Sequence, residues 1–290
     1  MKKTILGKII LTLALTAVYG WGCGNPTVQK DTQLPSGLSG PKVLVAANLS
    51  ADDLTKKINL ASGSVVVLKQ EYSGQGLEMA KALGIGGKEA KREVVIKRFA
   101  PGQLAEVEWK LTYKAADGSN QQHVGALTGA DLLSSREMYL PALWPDGVNN
   151  SYGLGLLWLS AESYENLTKS GFGTFDFGLT NRTMIDYAST TVGLQAALNK
   201  LQTSISDISA KTEVSLSRAA TSTTEWPLKV NGTDAKVKVY TAKNWFGEAV
   251  FLANQQYPLV LKIKMNELPD GSKLNGLLDY EVTELRDLQE

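Results

Sequence analysis

Apolar and polar residues alternate along several segments of the chain, which is the pattern of strands with one buried face. The alternation is clear in Val94–Phe99, in Ala105–Tyr113 and in Thr174–Leu179. Asp117-Gly118 lies between the second of these segments and Gln121–Leu127, and this dipeptide favours a hairpin turn. The middle of the chain is therefore predicted to contain an antiparallel hairpin.

A second hairpin is predicted in the last third of the chain. Asn231-Gly232 separates Trp226–Val230 from Ala235–Tyr240, where valines alternate with lysines. Further strands are predicted at Ala249–Ala253, Leu259–Met265 and Leu277–Leu285. This succession of strands with short connections predicts an antiparallel meander.

Helices are predicted to be fewer and short. Ser50 begins a capping box for a helix over 51–58, and Ser160 is placed to cap a helix over 161–169 that ends before Gly171. Two more helices are predicted at Gly76–Leu83 and Val192–Ile208. Because strands and helices do not alternate regularly, the predicted class is α+β. We expect a mainly antiparallel sheet, either curved or folded into a sandwich, with a few short packing helices.

The first 22 residues have the three parts of a secretory signal peptide. Lys2, Lys3 and Lys8 form a basic start, an apolar run of 11 residues covers Ile9–Tyr19, and small residues precede Cys23. A membrane-spanning helix needs about 20 apolar residues, so this run is too short to span a bilayer. The sequence therefore predicts export, with residues 1–22 as the signal peptide.

The end of this segment resembles the lipobox of bacterial lipoproteins. Gly22 and Cys23 match that motif, whereas Gly20 and Trp21 stand where leucine and a small residue are usual. The resemblance implies that Cys23 carries a lipid anchor, and a single cysteine in an exported chain is consistent with that role. Gly24 in place of aspartate implies the outer membrane, with the protein facing the periplasm or the cell surface. Ordinary signal cleavage, which would leave Cys23 as a free thiol, is the alternative.

Composition divides the remainder into a tether and a folded part. Residues 23–41 are rich in glycine and proline and are predicted to form a flexible linker after the cysteine. Residues 42–290 are predicted to form one globular α+β domain, with a possible division near Ser189. Without residues 1–22 the chain has 27 basic and 29 acidic residues, a net charge of −2. Nucleic acid is therefore not a predicted partner.

The sequence contains no recognised catalytic or metal-binding motif. His123 is the single histidine, in a predicted strand, and there is no HExxH or CxxC motif. Asp131, Glu137 and Asp146 are nominal candidates for a carboxylate pair of the glycosidase type. We predict no metal, no cofactor and no catalytic residue.

Tryptophans indicate both core and surface positions. Trp109 and Trp158 lie in strand patterns and are predicted to be core residues. Pro141–Gly155 is predicted to be a loop that combines an aromatic side chain with adaptable polar groups, as binding loops often do. Its candidate binding residues are Trp144, Asp146, Asn149, Asn150 and Tyr152.

Two segments, Leu156–Leu167 and Asn244–Ile263, resemble parts of exported antiparallel-sheet proteins. The second is loosely similar to periplasmic proteins of the lipoprotein-carrier type, whose curved half-barrel holds acyl chains. Together with the anchor, this leads us to expect a cell-envelope protein, held at the membrane by lipid, with a non-enzymatic binding or assembly role. The expected partner is an envelope protein or a hydrophobic ligand. Two alternatives remain open: a carrier of a hydrophobic ligand, and a secreted carboxylate-dependent hydrolase acting on glycan or cell wall.

Overall fold

Antiparallel strands make up most of the fold, which confirms the predicted α+β class with a mainly antiparallel sheet. The computed structural model describes residues 42–73, 77, 80–81, 85–176, 216–245, 247–266 and 278–290. These residues belong to a compact unit that spans Pro41–Glu290.

The described elements are two α-helices, one 3₁₀ helix and the strands of a single sheet. The helices are α1 (Ala51–Lys57) and α2 (Ala161–Ser170), and the 3₁₀ helix is Pro141–Leu143. The strands are β1 (Val65–Glu71), β2 (Ile85–Ala100), β3 (Leu104–Ala115), β4 (Asn120–Asp131), β5 (Gly147–Asn150), β6 (Phe172–Thr174), β7 (Leu216–Ala219), β8 (Thr224–Val230), β9 (Thr233–Lys243), β10 (Gly247–Leu252), β11 (Val260–Met265) and β12 (Tyr280–Arg286).

The sheet contains a closed circuit of strands, and the two ends of its strand order are the edge strands β5 and β6. Its strand order is β5-β4-β3-β2-β1-β12-β11-β10-β9-β7-β6, and β8 pairs with both β9 and β12. The strands from β8 to β12 therefore form a closed circuit. At one end of the order, β5 pairs in parallel with β4 and with no other described strand. This makes β5 an edge strand.

Both predicted hairpin turns are present and depend on residues that tolerate positive φ. Gly118 has φ 83° in the turn between β3 and β4, while Asn231 and Gly232 have φ 47° and 79° between β8 and β9. The Asn231 side-chain amide also donates to the backbone oxygens of Leu44 and Leu288. The second turn therefore ties the β8–β9 hairpin to the segments at both ends of the domain.

The two described helices begin where their capping residues predict. The Ser50 hydroxyl accepts the N–H of Asp53, and the Ser160 hydroxyl accepts the N–H of Ser163. Gly171, with φ 75°, ends α2.

Two other predicted helices are described in part or not at all. Helix Gly76–Leu83 is described at Leu77, Ala80 and Lys81, which are helical. Helix Val192–Ile208 and the possible division near Ser189 lie outside the described residues.

One face of β2–β4 packs into the core, and the other face, called here the outer face, carries mostly polar and charged side chains. Trp109 and Trp158 are 3% and 1% exposed, which confirms the prediction that both are core residues. Their rings contact Trp144 and Phe99, with centroid separations of 6.3 and 5.1 Å. The chain after β4 thus covers the inner face and leaves the outer face open.

Candidate functional site

A groove on the outer face, near the β5 edge, is the most apolar of the described depressions. It has a volume of about 510 Å³. Val95, Val124, Ala126 and Val148 line it, together with the charged Glu93, Glu108 and Lys110, which are called here the rim residues. We call it the edge groove. Two smaller grooves, of about 240 and 350 Å³, are lined chiefly by lysines and acidic residues and resemble an ordinary solvated sheet face.

The register of four strands explains why a depression forms here. Val95, Glu108, Ala126 and Val148 lie side by side across β2, β3, β4 and β5. Ala126 is the smallest of the four side chains, so it leaves space between its neighbours. The next row passes through Lys110 and ends at Val124, because β5 begins only at Gly147, opposite Gly125. The groove therefore lies beside Val124, where β5 has no residue to continue this row.

Glycine at position 125 is required by the packing beneath the groove. A Cβ atom there would lie 2.6 Å from Cζ2 of Trp109, closer than two carbon atoms approach. Gly147 has φ 77°, a backbone conformation that side chains other than glycine rarely adopt. Two glycines are therefore required next to the groove. Trp109 leaves no room for a side chain at position 125, and the positive φ at position 147 disfavours any other residue.

Two apolar side chains that line the groove are exposed to solvent: Val148 is 81% exposed and Val124 54%. Tyr152 does not line the groove but is also exposed, at 78%, further along the chain. The backbone N–H of Tyr152 donates to Oδ1 of Asn150. The Tyr152 ring packs over Gly129, where an added Cβ atom would lie 2.4 Å from Cε1 of the ring. Clustered apolar side chains at a sheet edge are a common feature of interaction surfaces.

The charged groups at the rim neutralise one another. Glu93 contacts the Arg286 guanidinium at 2.9 Å, the Lys91 ammonium at 3.1 Å and the Lys110 ammonium at 3.7 Å. Glu108 contacts Lys97 at 3.3 Å. Burial of Glu93 acts to raise its pKa, but the Lys91 hydrogen bond and the Arg286 charge outweigh it and hold the pKa below the usual value.

A chain of three side chains ties the entrance of β5 to the sheet. His123 Nδ1 lies 2.6 Å from Oδ2 of Asp146, and His123 Nε2 lies 2.9 Å from the Tyr113 hydroxyl. In the neutral tautomer with the proton on Nδ1, His123 donates to Asp146 and accepts from Tyr113. Burial, and then the negative charge of Asp146, raise the pKa of Tyr113, which disfavours a tyrosinate nucleophile. The arrangement is therefore better suited to holding the loop before Gly147 than to covalent chemistry.

The predicted binding loop divides between the core and the surface. Trp144 is 3% exposed, and its Nε1 donates to the oxygen of Tyr139 at 2.7 Å, so its indole is not a surface platform. The Asn149 amide donates to the backbone oxygen of Asp146 at 3.0 Å and shapes the turn. Asn150 and Tyr152 lie with Val148 on the exposed face of the edge strand. Cys23 lies outside the described residues.

Trp144 is buried because it covers a buried cation. The Arg92 guanidinium lies 4.2 Å from the Trp109 ring centroid and 5.3 Å from that of Trp144. Arg92 is 2% exposed and projects from β2 into the inner face. Burial raises the pKa of the neighbouring Tyr72 to about 12, which keeps the phenol neutral beside this cation.

The carboxylates considered for a hydrolase have separate structural roles where the structure describes them. Asp131 accepts the backbone N–H groups of Leu133 and Ser134 at 2.8 and 3.1 Å. Asp146 is bonded to His123, and Glu137 takes part in a backbone bridge with Asp176. In the described ranges, no three His, Cys, Asp or Glu side chains are grouped to hold a metal ion. Nor does any helix in the described part have the length and apolar character to span a membrane.

Sequence reasoning missed the valines that form the groove. Val124 was predicted within a strand, and Val148 within a loop, with no link between them. Their placement on the same groove depends on the parallel pairing of β5 with β4, which no local pattern indicates. The available signal was an isolated valine at Val148 among glycine and asparagine, with no charged residue from Gly147 to Tyr152.

Comparisons of the chain with protein-family models, with curated proteins and with solved structures found no match.

Substituting Glu93 by glutamine tests the rim network. The pKa of Glu93 is lower in the folded protein than in the unfolded chain, where it is near 4.5. The ionised carboxylate therefore stabilises the fold above pH 4.5, and this stabilisation is lost as the pH falls through the folded-state pKa. We expect Glu93→Gln to lower the free energy of unfolding at pH 7 by about 1 kcal/mol. The difference from wild type should shrink below pH 4.5, as measured by urea unfolding across pH.

Glu108→Gln is the matched control, since Glu108 has the single, exposed Lys97 contact and should change stability less. A difference for Glu93→Gln that is the same at pH 7 and pH 3 would contradict the assigned role of the carboxylate charge.

Proposed function

We propose that this chain is a lipid-anchored cell-envelope protein that binds a partner protein, without catalysis, through the edge groove. The observation that carries the proposal is the exposure of Val124 and Val148 beside a groove of about 510 Å³ on an open sheet edge. Burying one valine side chain contributes about 1.5–3 kcal/mol, so covering these two supplies a useful part of a binding free energy.

Support for the anchor comes from the amino-terminal sequence. The basic start, the short apolar run and the Gly22-Cys23 junction together favour export followed by lipid attachment at Cys23. Two acyl chains are enough for stable membrane attachment, because each buried methylene contributes about 0.8 kcal/mol. The linker at residues 23–41 would let the domain reach partners in the envelope, and Gly24 favours the outer membrane.

The character of the groove favours a protein partner over the two alternatives. A carrier must enclose an acyl chain along its length, whereas the edge groove opens on the outer face beside the ion-paired Glu93 and Glu108. A carboxylate-dependent hydrolase needs two carboxyl groups facing one cleft, whereas Asp131 accepts backbone N–H groups of its own turn and Asp146 is bonded to His123. No observation in the described residues specifically favours either alternative.

The anchor is tested by metabolic labelling with radioactive palmitate. Wild-type protein should incorporate label and fractionate with membranes, and Cys23→Ala should do neither, because the thioether cannot form without the thiol. Equal incorporation into both proteins would contradict the lipid anchor.

The groove is tested by photo-crosslinking in the native cell, with p-benzoylphenylalanine placed at position 148 or at position 45. Val45 is a suitable matched position, since it is 60% exposed and does not line the groove. We expect one discrete protein adduct from position 148 and none of the same mass from position 45. Adding Val124→Glu should reduce the adduct at least tenfold by placing a charge in the groove, and Val45→Glu should leave it unchanged. An adduct that persists with Val124→Glu would argue against the groove.

A further inference from the structure

The backbone of β5 has hydrogen-bonding groups, beside the edge groove, that no other described strand pairs with. β5 has four residues and pairs with β4 alone among the described strands. The N–H of Ser151 donates to the oxygen of Thr128 at 2.9 Å, and the Asn149 oxygen accepts the Thr128 hydroxyl at 3.4 Å. Successive residues of a strand direct their N–H and C=O groups to opposite sides. The backbone groups of Val148 and Asn150 are therefore directed away from β4.

β5 is short, which itself limits pairing, but it carries none of the charged residues or prolines that also protect edge strands. Natural edges carry lysine, proline or inward-pointing charges that discourage pairing with another chain. Gly147 to Tyr152 contains no charged residue and no proline. Val148, within β5, is 81% exposed, so an added strand would find an apolar side chain beside it.

The size of the edge indicates a linear occupant. Four residues extend about 13 Å at 3.3 Å per residue, whereas folded proteins contact each other through about 20–30 residues on each side. A short extended segment matches this length, and a second folded copy of the chain would leave most of its interface unsupported. Strand addition of this kind takes its affinity from main-chain hydrogen bonds and its specificity from side-chain pockets.

The charges around the groove indicate the chemistry of that segment. Glu93 and Glu108 at the rim are already ion-paired. A charged side chain of the partner would therefore lose water without gaining an ion pair with either carboxylate, which costs free energy. Val124 and Val148 line the same groove, so a side chain that packs against Val148 lies next to an apolar surface. A large apolar side chain fits that surface.

We propose that β5 accepts an extended, uncharged segment of a partner protein as an added strand, with a large apolar side chain of that segment entering the edge groove. This inference rests on the proposed function of the groove. It adds the mode of binding, which is main-chain pairing at Val148 and Asn150, and the kind of partner segment that fits.

The test uses hydrogen–deuterium exchange of the full-length chain with two capped seven-residue peptides of alternating threonine and phenylalanine. One peptide is unmodified, and the other is N-methylated on alternate residues along its pairing edge, so it keeps the side chains but cannot pair. At 1 mM, the unmodified peptide should slow exchange about tenfold in the segment that contains Val148 and Asn150. The methylated peptide should not slow it, and Val148→Glu should abolish the effect whereas Val45→Glu should not.

The outcomes separate the two proposals. Equal protection by both peptides would overturn strand addition and leave binding in the groove standing. No protection by either peptide would overturn strand addition and also count against the groove as an apolar binding site. Protection that survives Val148→Glu would place the peptide elsewhere and overturn the inference.

Discussion

The pairing of β1 with β12 is the interaction on which the rest of the fold depends. It joins Val65–Lys69 to Glu281–Arg286, and one of its side-chain contacts, from Thr283 to Val67, spans 216 positions of sequence. Val66, Leu68, Val282 and Leu285 are buried at this seam. Without it, the hairpins β1–β4 and the circuit β8–β12 would have separate, smaller cores. Closing so long a loop is entropically costly, so the buried seam must offset that cost.

This seam joins the circuit of β8 to β12 to the strands that lead to β5, and the β5 edge is where we place the function. The circuit from β8 to β12 has its strands paired on both sides, whereas β5 stops after four residues. The position of β5 is fixed from below by Trp144 over Arg92 and from the side by the Tyr113–His123–Asp146 chain. These contacts hold β5 in place before a partner arrives, which lowers the entropic cost of binding a flexible segment.

Local features of the fold were predictable from the sequence, and the site was not. Asn231-Gly232, Asp117-Gly118, Ser50 and Ser160 act within a few residues of themselves, so their roles follow from local chemistry. Trp144 was predicted to be a surface aromatic, because nothing near it in sequence reveals Arg92 as its partner. The groove itself arises from the parallel register that sets Gly125 beside Gly147 and Ala126 beside Val148. Of the predicted binding loop, Asn150 and Tyr152 are exposed, and their role in binding stays a prediction.

We propose that a partner in the cell envelope covers the edge groove. This is measured most directly by the rate at which a cysteine introduced there reacts with a maleimide. Val148→Cys and Val45→Cys are compared in intact envelopes and as purified protein. We expect Val148→Cys to react at least tenfold more slowly in envelopes than as purified protein. Val45→Cys should react at similar rates in both preparations. Equal rates for Val148→Cys in the two preparations would contradict this proposal.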